Sequence, residues 1–181
     1  MTRGNTRSIT VVFAIVALLV ATVPAAIAAS LTERPLKEDL SGYATGIVYA
    51  EDFESGDTFD GRCSQPSQWI STSAGTGTIS HLGRVSWTTE HCFQLFLGTF
   101  GDAVVVITSA NGDQLYGTYD GVLTSETTFA EELIITGGTG RFAGASGVVA
   151  EAGWFDPSTT YMEVTGDGWI SYDASQRSVR R

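Results

Sequence analysis

Two cysteines, two histidines and a single lysine, Lys37, are all that this 181-residue chain offers of those three residue types. Each scarcity excludes something. With only His81 and His91 to serve as bases, and no G-x-S-x-G elbow, a serine or cysteine hydrolase has almost nothing to be built from. Cys63, His81, His91 and Cys92 include zinc-ligand types, but their spacing matches no common zinc module. Adjacent strand residues such as His91 and Cys92 also point to opposite faces, so one metal could hardly collect both. Cationic side chains are few and the net charge is −10, which works against nucleic acid and anionic membrane surfaces. No segment after the N-terminal region keeps a helical period, and past residue 29 no apolar run approaches bilayer length.

What is present begins with an export signal. Arg3 and Arg7 precede an apolar run from Ile9 to Val23, and small residues surround Ala26-Ile27-Ala28. Residues 1–29 therefore read as a signal peptide cleaved after Ala28 or Ala29, which sends the chain to a secreted, periplasmic or cell-surface location. Retained, Ile9 to Ala29 would reach the length of a membrane anchor, but Pro24 and the alanine-rich end favour cleavage. In that compartment Cys63 and Cys92 are expected to form one disulfide. Residues 30–40 are polar, carry Pro35 and read as a flexible leader; residues 174–181 read as a mobile basic tail ending in Arg180 and Arg181.

Between them, residues 41–173 read as one all-β domain. Tyr43 to Ala50 alternates, placing Tyr43, Thr45, Ile47 and Tyr49 on one face. Further strands are expected at Gly75–Ser80, Arg84–Phe93, Ala103–Thr108, Gln114–Leu123, Glu132–Thr136, Gly147–Trp154 and Tyr161–Tyr172. Asn111-Gly112 is a tight hairpin signal. In the third strand Val85, Trp87, Thr89, His91 and Phe93 share a face; in the last, Met162, Val164, Ile170 and Tyr172 do. About eight short-linked strands fit a single antiparallel eight-stranded barrel of the calycin type. A β-sandwich is the rival, and closure is preferred because it removes both sheet edges.

The densest signal is Gly137-Gly-Thr-Gly-Arg-Phe-Ala-Gly-Ala-Ser-Gly147, in which Gly137, Gly138, Gly140, Gly144 and Gly147 allow a tightly shaped crossover between extended segments. Part of it fits the dinucleotide fingerprint G-x-G-x-x-A. That fingerprint needs a helix next, and Gly144, Gly147 and Val148-Val149 follow instead. The expected role is structural, with Arg141 capping carbonyls and Phe142 plugging a barrel end. This motif resembles the glycine-rich segment of dirigent proteins and of the allene oxide cyclase family. Trp69-Ile-Ser-Thr-Ser-Ala-Gly-Thr-Gly-Thr-Ile-Ser-His-Leu-Gly-Arg84 and Ala110-Asn-Gly-Asp-Gln-Leu-Tyr-Gly-Thr-Tyr119 are similar to segments of uncharacterised secreted bacterial proteins with the same crossover. The resemblance implies an eight-stranded barrel and a homotrimer, but its functional residues do not map onto this chain one by one.

For ligand contacts the candidates are His81 and Arg84, which bracket a turn taken to lie at a barrel mouth, with Trp87, Glu90, Tyr119 and Trp154. Glu90, Glu131, Glu132 and Glu151 lie in or beside strands, where burial would raise a carboxyl pKa; which of them turn inward is not readable from the sequence. Asp52, Glu54, Asp57 and Asp60 fall out of EF-hand register and read as a solvated loop. No cofactor and no metal are expected. Three functions follow in order: a non-enzymatic barrel binding a small apolar ligand or acting as an interaction module; a cyclase, isomerase or dirigent-like guide with a dry cavity; and a carbohydrate-binding module working through exposed tryptophans such as Trp69 or Trp154.

Overall fold

The computed structural model describes residues 32–173. The expected signal peptide and basic tail lie outside these residues. Within them the chain makes eight strands, β1 (Thr32–Tyr49), β2 (Trp69–Ile79), β3 (Gly83–Gln94), β4 (Thr99–Ser109), β5 (Gln114–Leu123), β6 (Thr128–Gly138), β7 (Ser146–Phe155) and β8 (Tyr161–Tyr172). Each strand pairs antiparallel with the next, and β8 pairs with β1, closing an up-and-down barrel. Closure settles the choice against a sandwich, because no sheet edge is left open.

The segment expected to be a flexible leader is instead the first half of β1. Pairing with β8 starts at Thr32 opposite Tyr172 and runs to Tyr43 opposite Tyr161. The physical reason is alternation hidden under polar composition: Leu36, Glu38 and Leu40 are buried while Lys37 and Asp39 face out. The domain therefore begins at least nine residues before residue 41. β1 also breaks the face assignment made for Tyr43, Thr45, Ile47 and Tyr49. A bulge between Ala44 and Gly46 flips the parity, so that Ala44 and Ile47 both line the interior while Tyr43 stands outside.

One end of the barrel is sealed. After β6, Gly140–Phe142 makes a single 3₁₀ turn and the chain enters β7, so no helix follows the glycine-rich segment. Gly140 has a φ of 56°, and a Cβ there would collide with the carboxylate of Asp113; only glycine fits. The turn drops Phe142, completely buried, into the main apolar core. Its ring meets Tyr172 edge-on at 5.0 Å. Arg141 donates from Nη2 to the carbonyl of His81 at 2.6 Å and lies 3.7 Å from Asp113, lashing the β2–β3 and β4–β5 turns to the plug. The β4–β5 turn is the tight hairpin at Asn111-Gly112, with Gly112 at φ 88°.

Beside the other end, residues 50–68 fold over the outside of β2 and β3. Phe59, Cys63, Ala50, Ile70 and Cys92 form a small second core, with Cys63 bonded to Cys92 as expected. This patch is too small to hold a long connection by burial alone. The double variant Cys63→Ala/Cys92→Ala is therefore expected to lose roughly 3–4 kcal/mol, the loop-closure value for this separation. Urea unfolding of the oxidised and variant proteins measures it.

Candidate functional site

Above the plug the barrel is hollow. A cavity of about 410 Å³ opens at the end marked by Trp69, Leu95, Leu123, Phe155 and Pro157, a volume within the usual range for small-molecule sites. Its walls are apolar over most of their area: Leu40, Phe93, Phe100, Val105, Ile107, Phe129, Leu133 and Val164. A second, more open groove of about 620 Å³ is lined by polar residues such as Gln65, Thr99, Asp102 and Asp120 together with Phe100, Val122 and Glu131. The interior is the better site, since it is sheltered and holds the perturbed groups described next.

Three carboxyls meet in the wall. Glu38 from β1, Glu131 from β6 and Glu151 from β7 all turn inward, and Glu131 and Glu151 line the cavity directly. Glu38 packs behind them, in space that Gly166 of β8 leaves free, since a Cβ there would sit 2.5 Å from its Oε1. None of the ion pairs among the described residues reaches any of the three. As carboxylates, Glu38 Oε1 and Oε2 have no hydrogen-bond donor. They gain one when Glu151 holds a proton, and all the shifts agree with that arrangement. Burial pushes Glu151 well above the usual carboxyl range, and its hydrogen bonds and repulsion with Glu38 and Glu131 push it further. Burial raises Glu131 to about 7, partly offset by its hydrogen bond to Glu151. Glu38 is raised for the same reason. Glu151 is thus the central, protonated member.

On the facing wall stands a neutral polar chain. Tyr119 of β5 contacts Thr89 Oγ1 at 2.6 Å and His91 Nδ1 at 2.9 Å, and Thr89 donates to the carbonyl of Val104 at 2.8 Å. Burial lowers the His91 pKa to about 4, so the imidazole is neutral near pH 7. Burial, reinforced by Glu131, drives the Tyr119 phenol far above its ordinary range. Trp87 of β3 lies flat in a slot made by Gly42 and Gly75, where a Cβ on either would come within 2.7 Å of the indole.

The sequence candidates divide accordingly. Trp87 and Tyr119 line the cavity. His81 and Arg84 do not lie at the mouth: they sit at the sealed end, exposed, with His81 Nε2 on the carbonyl of Pro35 at 2.9 Å. Glu90 faces outward and lies 3.6 Å from Arg62. Trp154 is outside the barrel, donating to Glu163 at 3.0 Å. The crossover residues Gly137, Gly138, Arg141, Gly144 and Gly147 all belong to the sealed end and its flanking strands. Parity could have found the acids: Glu131 shares a face with Leu133 and Ile135, and Glu151 with Val149. Glu38 escapes the sequence reading because its segment looks like a leader, and His91 because it is weighed there only as a base or a zinc ligand.

This is a closed, eight-stranded antiparallel barrel of the dirigent kind. A solved structure similar to it is that of the pterocarpan synthase dirigent protein GePTS1, at 16% identity and a TM-score of 0.50, covering 78% of this chain and 91% of that one. No family model matches the chain, and no curated protein matches it by sequence.

The acids carry a pH dependence. A carboxyl with a raised folded pKa binds more protons folded than unfolded between the two values, so its stabilisation is full below about 4.5 and is lost as pH rises through the folded pKa. His91 has the opposite sign, losing stability as pH falls from 6.5 toward about 4. Above about pH 6.5 only the acids act, and the melting temperature is expected to fall between roughly pH 6.5 and 8. Glu131→Gln should flatten that fall in calorimetric scans across the range.

Proposed function

We propose that the protein is a receptor for a small, largely apolar molecule, held inside the barrel, on which Glu151 acts as proton donor in the manner of a dirigent-like stereochemical guide. The observation that carries this reading is the convergence of three uncompensated carboxyls on an otherwise apolar chamber. Left without a guest, such a cluster costs stability, and it does nothing for the packing of the sealed end. A dry wall strengthens any hydrogen bond that Glu151 gives to a guest oxygen. Glu131, balanced near neutrality, is placed to take a proton back. The chamber disfavours anions, because a negative guest would face Glu38 and Glu131.

Export through the N-terminal signal belongs to the same proposal, and the Cys63–Cys92 disulfide supports it. The carbohydrate reading has less to stand on. Trp69 is stacked on Phe93 at 4.4 Å and also lies parallel to Phe53 at 6.3 Å, so its ring is engaged within the protein.

Three measurements test the proposal. Titration with the neutral dye N-phenyl-1-naphthylamine should give saturable fluorescence with one site per barrel, and native mass spectrometry of freshly purified protein should show a recurring neutral guest. Absence of both would mean a filled core and end the receptor reading. Infrared spectra near pH 7 should show a carboxylic-acid C=O absorption that weakens in Glu151→Gln, while dye binding persists; an unchanged band would remove Glu151 from the donor role.

A further inference from the structure

The hydrogen-bond chain that joins β3 to β4 and β5 fixes more than the position of His91. A hydroxyl has one proton to give. Thr89 gives its own to the Val104 carbonyl, since two oxygens 2.8 Å apart with no hydrogen between them would repel. Thr89 Oγ1 can then only accept from Tyr119, at 2.6 Å. With its proton spent, Tyr119 oxygen must accept from His91 Nδ1–H, at 2.9 Å. The neutral imidazole therefore carries its hydrogen on Nδ1 and a bare lone pair on Nε2. His91 lines the cavity, and Nε2 has no hydrogen-bond partner among the described residues.

Two donors on the same wall have no partner either. Trp87 Nε1 and Ser73 Oγ are both buried, in residues that are 5% and 2% exposed, and both residues line the cavity. Ser73 pairs across the strands with Thr89, and Trp87 occupies the neighbouring rung opposite Gly75. A buried donor without an acceptor costs about 1–3 kcal/mol, and here two such donors lie on successive inward rungs below a lone acceptor, Ser73 one rung and Trp87 two rungs beneath His91.

We propose that this wall is a recognition site for an uncharged guest carrying two polar groups on an apolar body: a carbonyl or ether oxygen that accepts from Trp87 Nε1–H and Ser73 Oγ–H, and a hydroxyl that donates to His91 Nε2. The inference rests on the receptor reading and narrows its ligand to hydroxylated carbonyl or ether compounds. The acceptor oxygen enters first, because Trp87 lies deeper than His91 along β3, whose inner end meets the plug at Val85. The flat ring of Phe100, 5.3 Å from His91, and that of Phe93 bound the space beside the hydroxyl. In this arrangement Trp87, Ser73 and His91 set specificity, while Glu151 faces the guest from the opposite wall.

Four probes of one skeleton separate the contributions: diphenylmethane, benzophenone, 4-benzylphenol and 4-hydroxybenzophenone, each competed against N-phenyl-1-naphthylamine at about pH 6. The hydroxyketone is expected to bind tightest, with the carbonyl and the hydroxyl each worth on the order of tenfold. Trp87→Phe keeps a ring in the glycine slot and should erase only the carbonyl advantage; His91→Phe should erase only the hydroxyl advantage. Equal binding of all four probes, or variants that weaken all four alike, would overturn the proposal and mean that the orphan donors hold water. The receptor reading would survive that result, since it fails only if no probe displaces the dye and the dye itself does not bind. Independently, long-range nitrogen–proton correlation spectra should show His91 protonated on Nδ1; the opposite tautomer overturns the hydroxyl half.

Discussion

The pairing of β1 with β8 is the constraint from which the rest of the molecule follows. Twelve residues of β1, from Thr32 to Tyr43, lie against β8, and without them the sheet would be an open surface with two bare edges. The same pairing brings Glu38 against Gly166 and Glu151, so that closing the cylinder and assembling the acid cluster are a single event. It also roofs the apolar interior that makes those acids hold their protons. Fold, cavity and electrostatics are here not separate layers but outcomes of one ladder of backbone hydrogen bonds.

Small residues decide the shape of the interior. Wall positions without a side chain accept large rings from across or beside them: Gly42 and Gly75 hold Trp87, Gly121 makes room for Phe100, and Gly153 for Phe129. The sealed end uses the opposite device, with Phe142 inserted as a stopper and held by Arg141. A hollow half and a packed half therefore coexist in one barrel. The packed half supplies stability, which leaves the hollow half free to keep groups in states that folding alone would not select.

Much of this architecture was legible in the sequence, and the reasons are local. Alternation in β3 and β8 was read correctly because apolar and polar residues take strict turns there, as at Val85, Trp87 and Phe93. Asn111-Gly112 specified its turn, and the glycine spacing around Phe142 announced a crossover without a helix. The sequence pattern is silent where inward positions are polar or where period two is broken. Lys37, Glu38 and Asp39 look like a solvated leader unless closure is known, since only β8 makes Glu38 an interior residue. The bulge at Ala44 and Gly46 reverses parity without a mark in composition. His81 and Arg84 were misplaced because a turn looks the same at either end of a barrel; which end is stoppered depends on a residue sixty positions away.

That stopper makes the chamber a blind-ended one. Anything that goes in must come out by the way it entered, so arrival and departure share one doorway, bordered by Trp69, Leu95 and Leu123. Whichever part of a visitor leads will meet the indole, and whatever trails will stay near the doorway or project into water. Discrimination then concerns the leading portion, while tails of different length are tolerated, and occupancy time is set by how readily the doorway side chains yield.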